Sequence, residues 1–139
     1  MKIISLLFAL SLVLLTPGCG NFFKGRKAAE QGVADFHKQY NDGQLEQIYL
    51  ASDSKMKSAT TQKEFLDFVA AVQRKLGKVT DTTEVGFNVS TYNFTTTVVL
   101  TQNTTFEQGK GTETFSFQIN GDKAVLAGYH INSKDLILK

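Results

Sequence analysis

Few side chains in this 139-residue chain are of a type that could do chemistry, and their spacing brings none of them together. Acid–base work in a pocket needs two or three ionisable groups within hydrogen-bond reach of one another. The only recruits are Asp35, His37, Tyr40, Asp67, Tyr129 and His130. His37 sits at the margin of an apolar helical stripe, and His130 follows Tyr129 near the end of the chain. There is no His-Glu-x-x-His pair, no phosphate-cradling glycine loop and no Gly-x-Ser-x-Gly elbow. The expectation is therefore that no residue is catalytic and that none binds a cofactor or metal. Tyr40, Tyr129 and His130 remain as candidates to line a pocket.

The sole cysteine, Cys19, follows a segment with a different purpose. Lys2 supplies a positive start, Ile3 to Leu15 is apolar apart from Ser5 and Ser11, and Thr16-Pro17-Gly18-Cys19 closes the run. That run is shorter than the ~20 residues a membrane-spanning helix needs, so it reads as the core of an export signal. Gly18 before Cys19 resembles the lipobox of bacterial lipoproteins. The resemblance implies a diacylglycerol on the Cys19 sulfur, cleavage before Cys19 and acylation of its amine by a fatty acid such as palmitate. The usual box has Leu three places before the cysteine; here Thr16 holds that place and Leu15 stands one further back. The alternative is an ordinary secretory signal cut near Gly18 or Gly20. The expected organisation is a signal peptide over 1–18, a lipidated tether over 19–27 and a single domain over 28–139. In the tether, Phe22 and Phe23 are placed to dip into the bilayer interface while Lys24, Arg26 and Lys27 face headgroups.

Without Lys2 the side-chain charge falls to +1, and Arg26 and Arg74 are the only arginines, which argues against a nucleic-acid partner. With Cys19 committed to lipid, no thiol remains for a disulfide, so packing alone must hold the domain.

The elements that would position the candidate residues divide along the chain. Ala29, Val33, Phe36 and Tyr40 line one side of a helix from about Arg26 to Tyr40, stopped by Asn41-Asp42-Gly43. A short helix follows at about Leu45 to Ala51. Thr61 and Glu64 form a capping box before a third helix with an apolar stripe of Phe65, Phe68, Val69, Val72 and Leu76, ended by Gly77. The period then drops to two. Val85, Phe87 and Val89, then Phe94, Thr96, Val98 and Leu100, then Phe115, Phe117 and Ile119, then Val125, Ala127, Tyr129 and Ile131 define four inward-facing strand sets. Phe68 and Phe117 are expected to meet between the third helix and the sheet. Thr95, Thr97, Thr101, Thr104 and Thr105 are assigned to an exposed threonine-rich face. Asn120-Gly121 signals a tight hairpin. The prediction is an α+β fold, with N-terminal helices packed on one face of a curved four-stranded antiparallel sheet.

This order, with Phe65-Leu66-Asp67-Phe68, Arg74-Lys75-Leu76-Gly77 and a closing Gly128-Tyr129-His130-Ile131, resembles small exported bacterial proteins with a domain of unknown function. These belong to the cystatin-like, nuclear-transport-factor-2-like superfamily. The resemblance covers about Ala28 to Ile131 and implies a sheet curled into a cone around a helix. It carries no catalytic residues. Members of the superfamily use the cone as an enzyme pocket, bind partners, or pair through the open sheet face, and fold alone does not choose among these. The expected function is a lipid-anchored, non-enzymatic binding or interaction module of the cell envelope with an unknown protein or small-molecule partner. It would sit on the outer membrane facing the periplasm where the envelope has two membranes. The alternatives are a small isomerase- or dehydratase-like pocket enzyme and a dimeric subunit of an envelope complex, paired through the threonine face.

Overall fold

The computed structural model describes residues 18–138, and of residues 18, 19, 21 and 22 the backbone only. The expected signal segment up to Pro17 and the Cys19 side chain lie outside the described residues. Four helices precede the sheet: α1 (Gly18–Asn41), α2 (Leu45–Leu50), α3 (Ser54–Ala59) and α4 (Gln62–Leu76). The strands β1 (Val79–Tyr92), β2 (Thr95–Phe106), β3 (Gly109–Asn120) and β4 (Lys123–Asn132) pair as an antiparallel meander in chain order, and α5 (Lys134–Leu138) closes the chain. The α+β class, the single curved four-stranded sheet and its helical cover are as expected from the sequence. Two short helices, α3 and α5, were not foreseen. Each is a single turn or little more, too short to print a period.

The local signals act as their chemistry requires. The Thr61 hydroxyl accepts from the Glu64 amide at 3.3 Å and the Glu64 carboxylate accepts from the Thr61 amide at 2.9 Å, which starts α4. Gly43 and Gly77 end their helices at φ of 73° and 77°. Asn41 then locks helix to sheet: its side-chain amide donates to the Val79 carbonyl at 2.9 Å, and its oxygen accepts from the Val79 amide at 2.8 Å. α1 begins at Gly18 rather than near Arg26. The added turns pack Gly25 beside Val98 and Ile119.

The core is formed where α1 crosses the inner sheet face. Phe36, Tyr40, Phe115 and Phe117 are buried there with Val98, Leu100 and Leu126, and α4 adds Phe65, Val69, Val72 and Leu76. Phe117 does not meet Phe68. It sits beneath Gly32 of α1, while Phe68 lies on the flank of its helix, 43 % exposed, with its ring 6.3 Å from that of Tyr129. The helix that covers the sheet centre is thus α1, whose glycine admits the Phe117 ring.

Strand faces depart from the predicted sets at two irregularities. A register shift between Glu84 and Gly86 turns Val85 outward, and Thr82 and Glu84 take the inner positions opposite Thr104 and Gln102. A second shift, opposite Ser116 and Phe117, puts Leu126 and Ala124 inward in place of Val125 and Ala127. β2 is unbroken, so the parity of Val98 and Leu100 carries through Gln102 to Thr104 and Phe106, all buried. Thr104 therefore leaves the exposed threonine face to which it was assigned. Phe94 is no inward strand residue either, but part of the β1–β2 turn. On the outer edge of β4, the Asp53 amide donates to the Leu126 carbonyl at 2.8 Å and seats the loop before α3.

A β-carbon at Gly32 would stand 2.7 Å and 2.9 Å from two atoms of the Phe117 ring. Alanine should favour the helix by about 1 kcal/mol, but overpacking a buried ring costs about 1–3 kcal/mol. Gly32→Ala is therefore expected to lower the urea midpoint. Phe117→Ala should cost about 3–5 kcal/mol and half-exposed Phe68→Ala distinctly less. A raised midpoint for Gly32→Ala would mean that the ring yields and α1 does not approach this closely.

Candidate functional site

The inner face of β3 continues past Phe117 and Phe115 to Glu113, which is only 1 % exposed. A carboxylate in that position is tolerable only with its oxygens satisfied. One element after another supplies a donor. The Tyr129 hydroxyl of β4 donates to Oε1 at 2.7 Å, and the Thr104 hydroxyl of β2 donates to Oε2 at 2.6 Å. His37 of α1, 7 % exposed, brings Nε2 to 2.7 Å from the same Oε2. With Thr104 already donating to Oε2, the imidazole reads as Nε2–H donating to the carboxylate. The chain of hydroxyls runs on to the sheet edge, where Thr82 and Thr104 lie 3.0 Å apart.

Aromatic rings wall this network. Phe36 is 4.7 Å from the Tyr129 ring and 5.0 Å from Phe115, measured between centroids, and the Phe115 ring stands edge-on to His37 at 5.6 Å. Burial, and then the neighbouring Glu113 carboxylate, push the Tyr129 hydroxyl well above the ordinary tyrosine range. Tyr40 is raised for the same two reasons, with Glu107 adding to them.

Of the pocket candidates, Tyr129 alone lines a cleft. It shares a hollow of about 250 Å³ with Met56, Phe65, Phe68 and Gly128, between α3, α4 and β4. Tyr40 is buried, and its hydroxyl donates to the Gly77 carbonyl at 2.9 Å, which makes it a core residue and no pocket wall. His130 is exposed on the opposite face of β4. Asp35 accepts from Gln31 and Asp67 pairs with Lys63, both within one exposed helical turn. Arg26, expected to face headgroups, instead lies 2.7 Å from Glu84 and 3.0 Å from Glu30, with its guanidinium 4.2 Å above the Phe87 ring. Sequence reasoning named His37 and Tyr129 but missed Glu113 and Thr104, the residues that join them. Their signal was parity: each continues an inward strand set.

Chemically, His37, Glu113 and Tyr129 are of the residue types that an acid–base relay uses. A relay works on a substrate only if a reacting atom can come within hydrogen-bond reach. Both Glu113 oxygens are occupied by protein, and neither Glu113 nor His37 lines the cleft at Tyr129. Among the described residues no cluster of three or more His, Cys, Asp or Glu side chains could hold a metal ion.

The fold is similar to the solved structure of Bdellovibrio bacteriovorus Bd1075, with a TM-score of 0.50 and 13% identity over 78% of this chain. The chain spans 40% of that protein's length, and at this identity the likeness concerns the fold alone. No family model matches the chain, and no curated protein matches it.

Tyr129→Phe leaves Glu113 Oε1 without its donor and should cost about 1–3 kcal/mol at neutral pH. The raised pKa of Tyr129 also makes its contribution pH-dependent. It is fully present below the unfolded tyrosine value of about 10 and is lost as pH rises toward the folded value. Urea unfolding across the alkaline range should thus fall less steeply with pH in Tyr129→Phe than in the parent. Equal slopes would mean that Tyr129 ionises alike in the folded and unfolded chain.

Proposed function

We propose that this chain is a lipid-anchored, non-enzymatic binding or interaction module of the cell envelope, of the exported type whose sequence pattern it resembles. One observation carries the non-enzymatic part: in the buried acid–base constellation of His37, Glu113 and Tyr129, both carboxylate oxygens accept from the protein's own donors, and Phe36 and Phe115 wall it. A catalytic carboxylate needs a space from which substrate can reach it, and neither Glu113 nor His37 lines the cleft at Tyr129. The anchor rests on the apolar N-terminal run and on Cys19 after Gly18. Among the described residues no helix is long and apolar enough to cross a membrane. Acyl chains contribute about 0.8 kcal/mol per buried methylene, far beyond what a pair of interfacial aromatics supplies.

A pocket enzyme is the second reading, and Tyr129 is the observation that favours it. Its ring forms the floor of an apolar cleft while its hydroxyl touches Glu113.

Two measurements test these readings. Cys19→Ser should move the protein from the membrane to the soluble fraction with its circular dichroism unchanged, and continued membrane partitioning would sink the anchor. In a strain lacking the native copy, His37→Gln and Glu113→Gln should reduce function only in proportion to protein abundance. A variant that accumulates and melts normally, yet has no function, would revive the enzyme.

A further inference from the structure

We propose that the tip of the β1–β2 hairpin is a second membrane contact, seated on the bilayer that holds Cys19; this rests on the lipid-anchor reading above. The tip is Tyr92-Asn93-Phe94-Thr95. Phe94 is 107 % exposed and Tyr92 80 % exposed, so the first is wholly and the second largely open to the surroundings.

The backbone makes this costly to maintain. Asn93 and Phe94 have φ of 47° and 60°, the pair of positive values of a tight hairpin turn. That turn prefers glycine at its second position, and a bulky residue at positive φ is an outlier. The β3–β4 hairpin of the same sheet places Gly121 at φ 62°. Phe94 thus occupies a glycine site and packs against nothing in return. Its gain must come from outside the domain.

The location says what that outside is. Lys24 of α1 shares a hollow with Thr96, Ile119, Gly121 and Asp122, so the start of α1 and both hairpin tips lie at one end of the molecule. From Lys24 the helix continues about 7 Å to the Cys19 backbone. From Thr96 the strand continues about 7 Å to Phe94. Cys19 lies in the first turn of α1, so the position expected to carry the lipid is at this end. Phe23, 66 % exposed, adds a third ring there. Lys24, Lys27 and Lys123 outnumber Asp122 at this end, a balance suited to anionic headgroups. Aromatic rings with basic neighbours are the side chains that settle at a membrane interface. Acyl chains on Cys19 would hold the domain at the surface, and the hairpin would fix which way it faces.

The chain contains no tryptophan, so one introduced residue is a unique reporter. Full-length F94W and I137W are each produced in a lipoprotein-processing bacterial host. They are then reconstituted on phosphatidylethanolamine–phosphatidylglycerol vesicles with brominated acyl chains. Ile137 is also exposed, but α5 lies at the far end of the sheet, beside Lys75, Gly109 and Lys110. The expected result is a blue shift and loss of most emission for F94W, with I137W unaffected. F94W left unquenched while the protein floats with the vesicles would overturn the hairpin contact and leave the anchor standing. Equal quenching of both would also overturn it, since the domain would then have no fixed orientation. Failure to float would overturn the anchor and this contact together.

Discussion

A carboxylate in the interior sets terms for everything packed around it. Glu113 can stay buried only while α1, β2 and β4 each deliver a donor to it. This demand fixes the rotation of α1, because His37 must face the sheet together with Phe36. It also fixes strand register, because a slip of one residue would turn Thr104 or Tyr129 to the other face. Apolar contacts among the phenylalanines would tolerate small shifts; the hydrogen bonds to Glu113 would not. In a domain without a disulfide, this network does the aligning that a cross-link might otherwise do. Its geometry also makes it expensive to disturb. Removing any one donor leaves a polar group stranded among the rings of Phe36 and Phe115.

Most of the architecture was legible in the order of residues, because each element had a signal at its own scale. The capping box of Thr61 and Glu64, the stops at Gly43 and Gly77, and the change of period after Gly77 all describe local choices that tertiary packing left intact. The faces of β1 and β4 were not legible. A single inserted residue reverses parity, and neither Val85 nor Ala127 differs in type from an inward residue. Phe68 was misjudged because period alone does not say how far an apolar stripe is covered. The candidate network was half visible. His37 and Tyr129 stood out as titratable groups, whereas Thr104 was grouped by type with its threonine neighbours and Glu113 was passed over. Counting parity along β2 from Leu100 and along β3 from Phe115 would have put both in the core. A polar residue on the inner parity of an unbroken strand carries information that a list of ionisable residues does not.

With its interior closed, the molecule has its outer faces and its two ends left for recognition. The hollow floored by Tyr129 between α3, α4 and β4 is apolar and modest in size. A broader polar hollow of about 650 Å³ spans the strands near Asp81, Asn103 and Lys110. Thr104 borders that hollow and Tyr129 the other, and each donates to the buried Glu113 carboxylate.

The irregularities that turn Val85 outward have a further effect between molecules. A meander has two open margins, each a row of unpaired backbone groups on which another copy could pair. Along β1 the register breaks between Val79 and Asp81 and again between Glu84 and Gly86, which confines the longest regular run on this margin to Gly86–Tyr92. Along β4 the break opposite Ser116 and Phe117, together with the Asp53 amide seated on Leu126, interrupts the other. Breaks of this kind in an edge strand hinder the edge-to-edge growth of sheets into fibres.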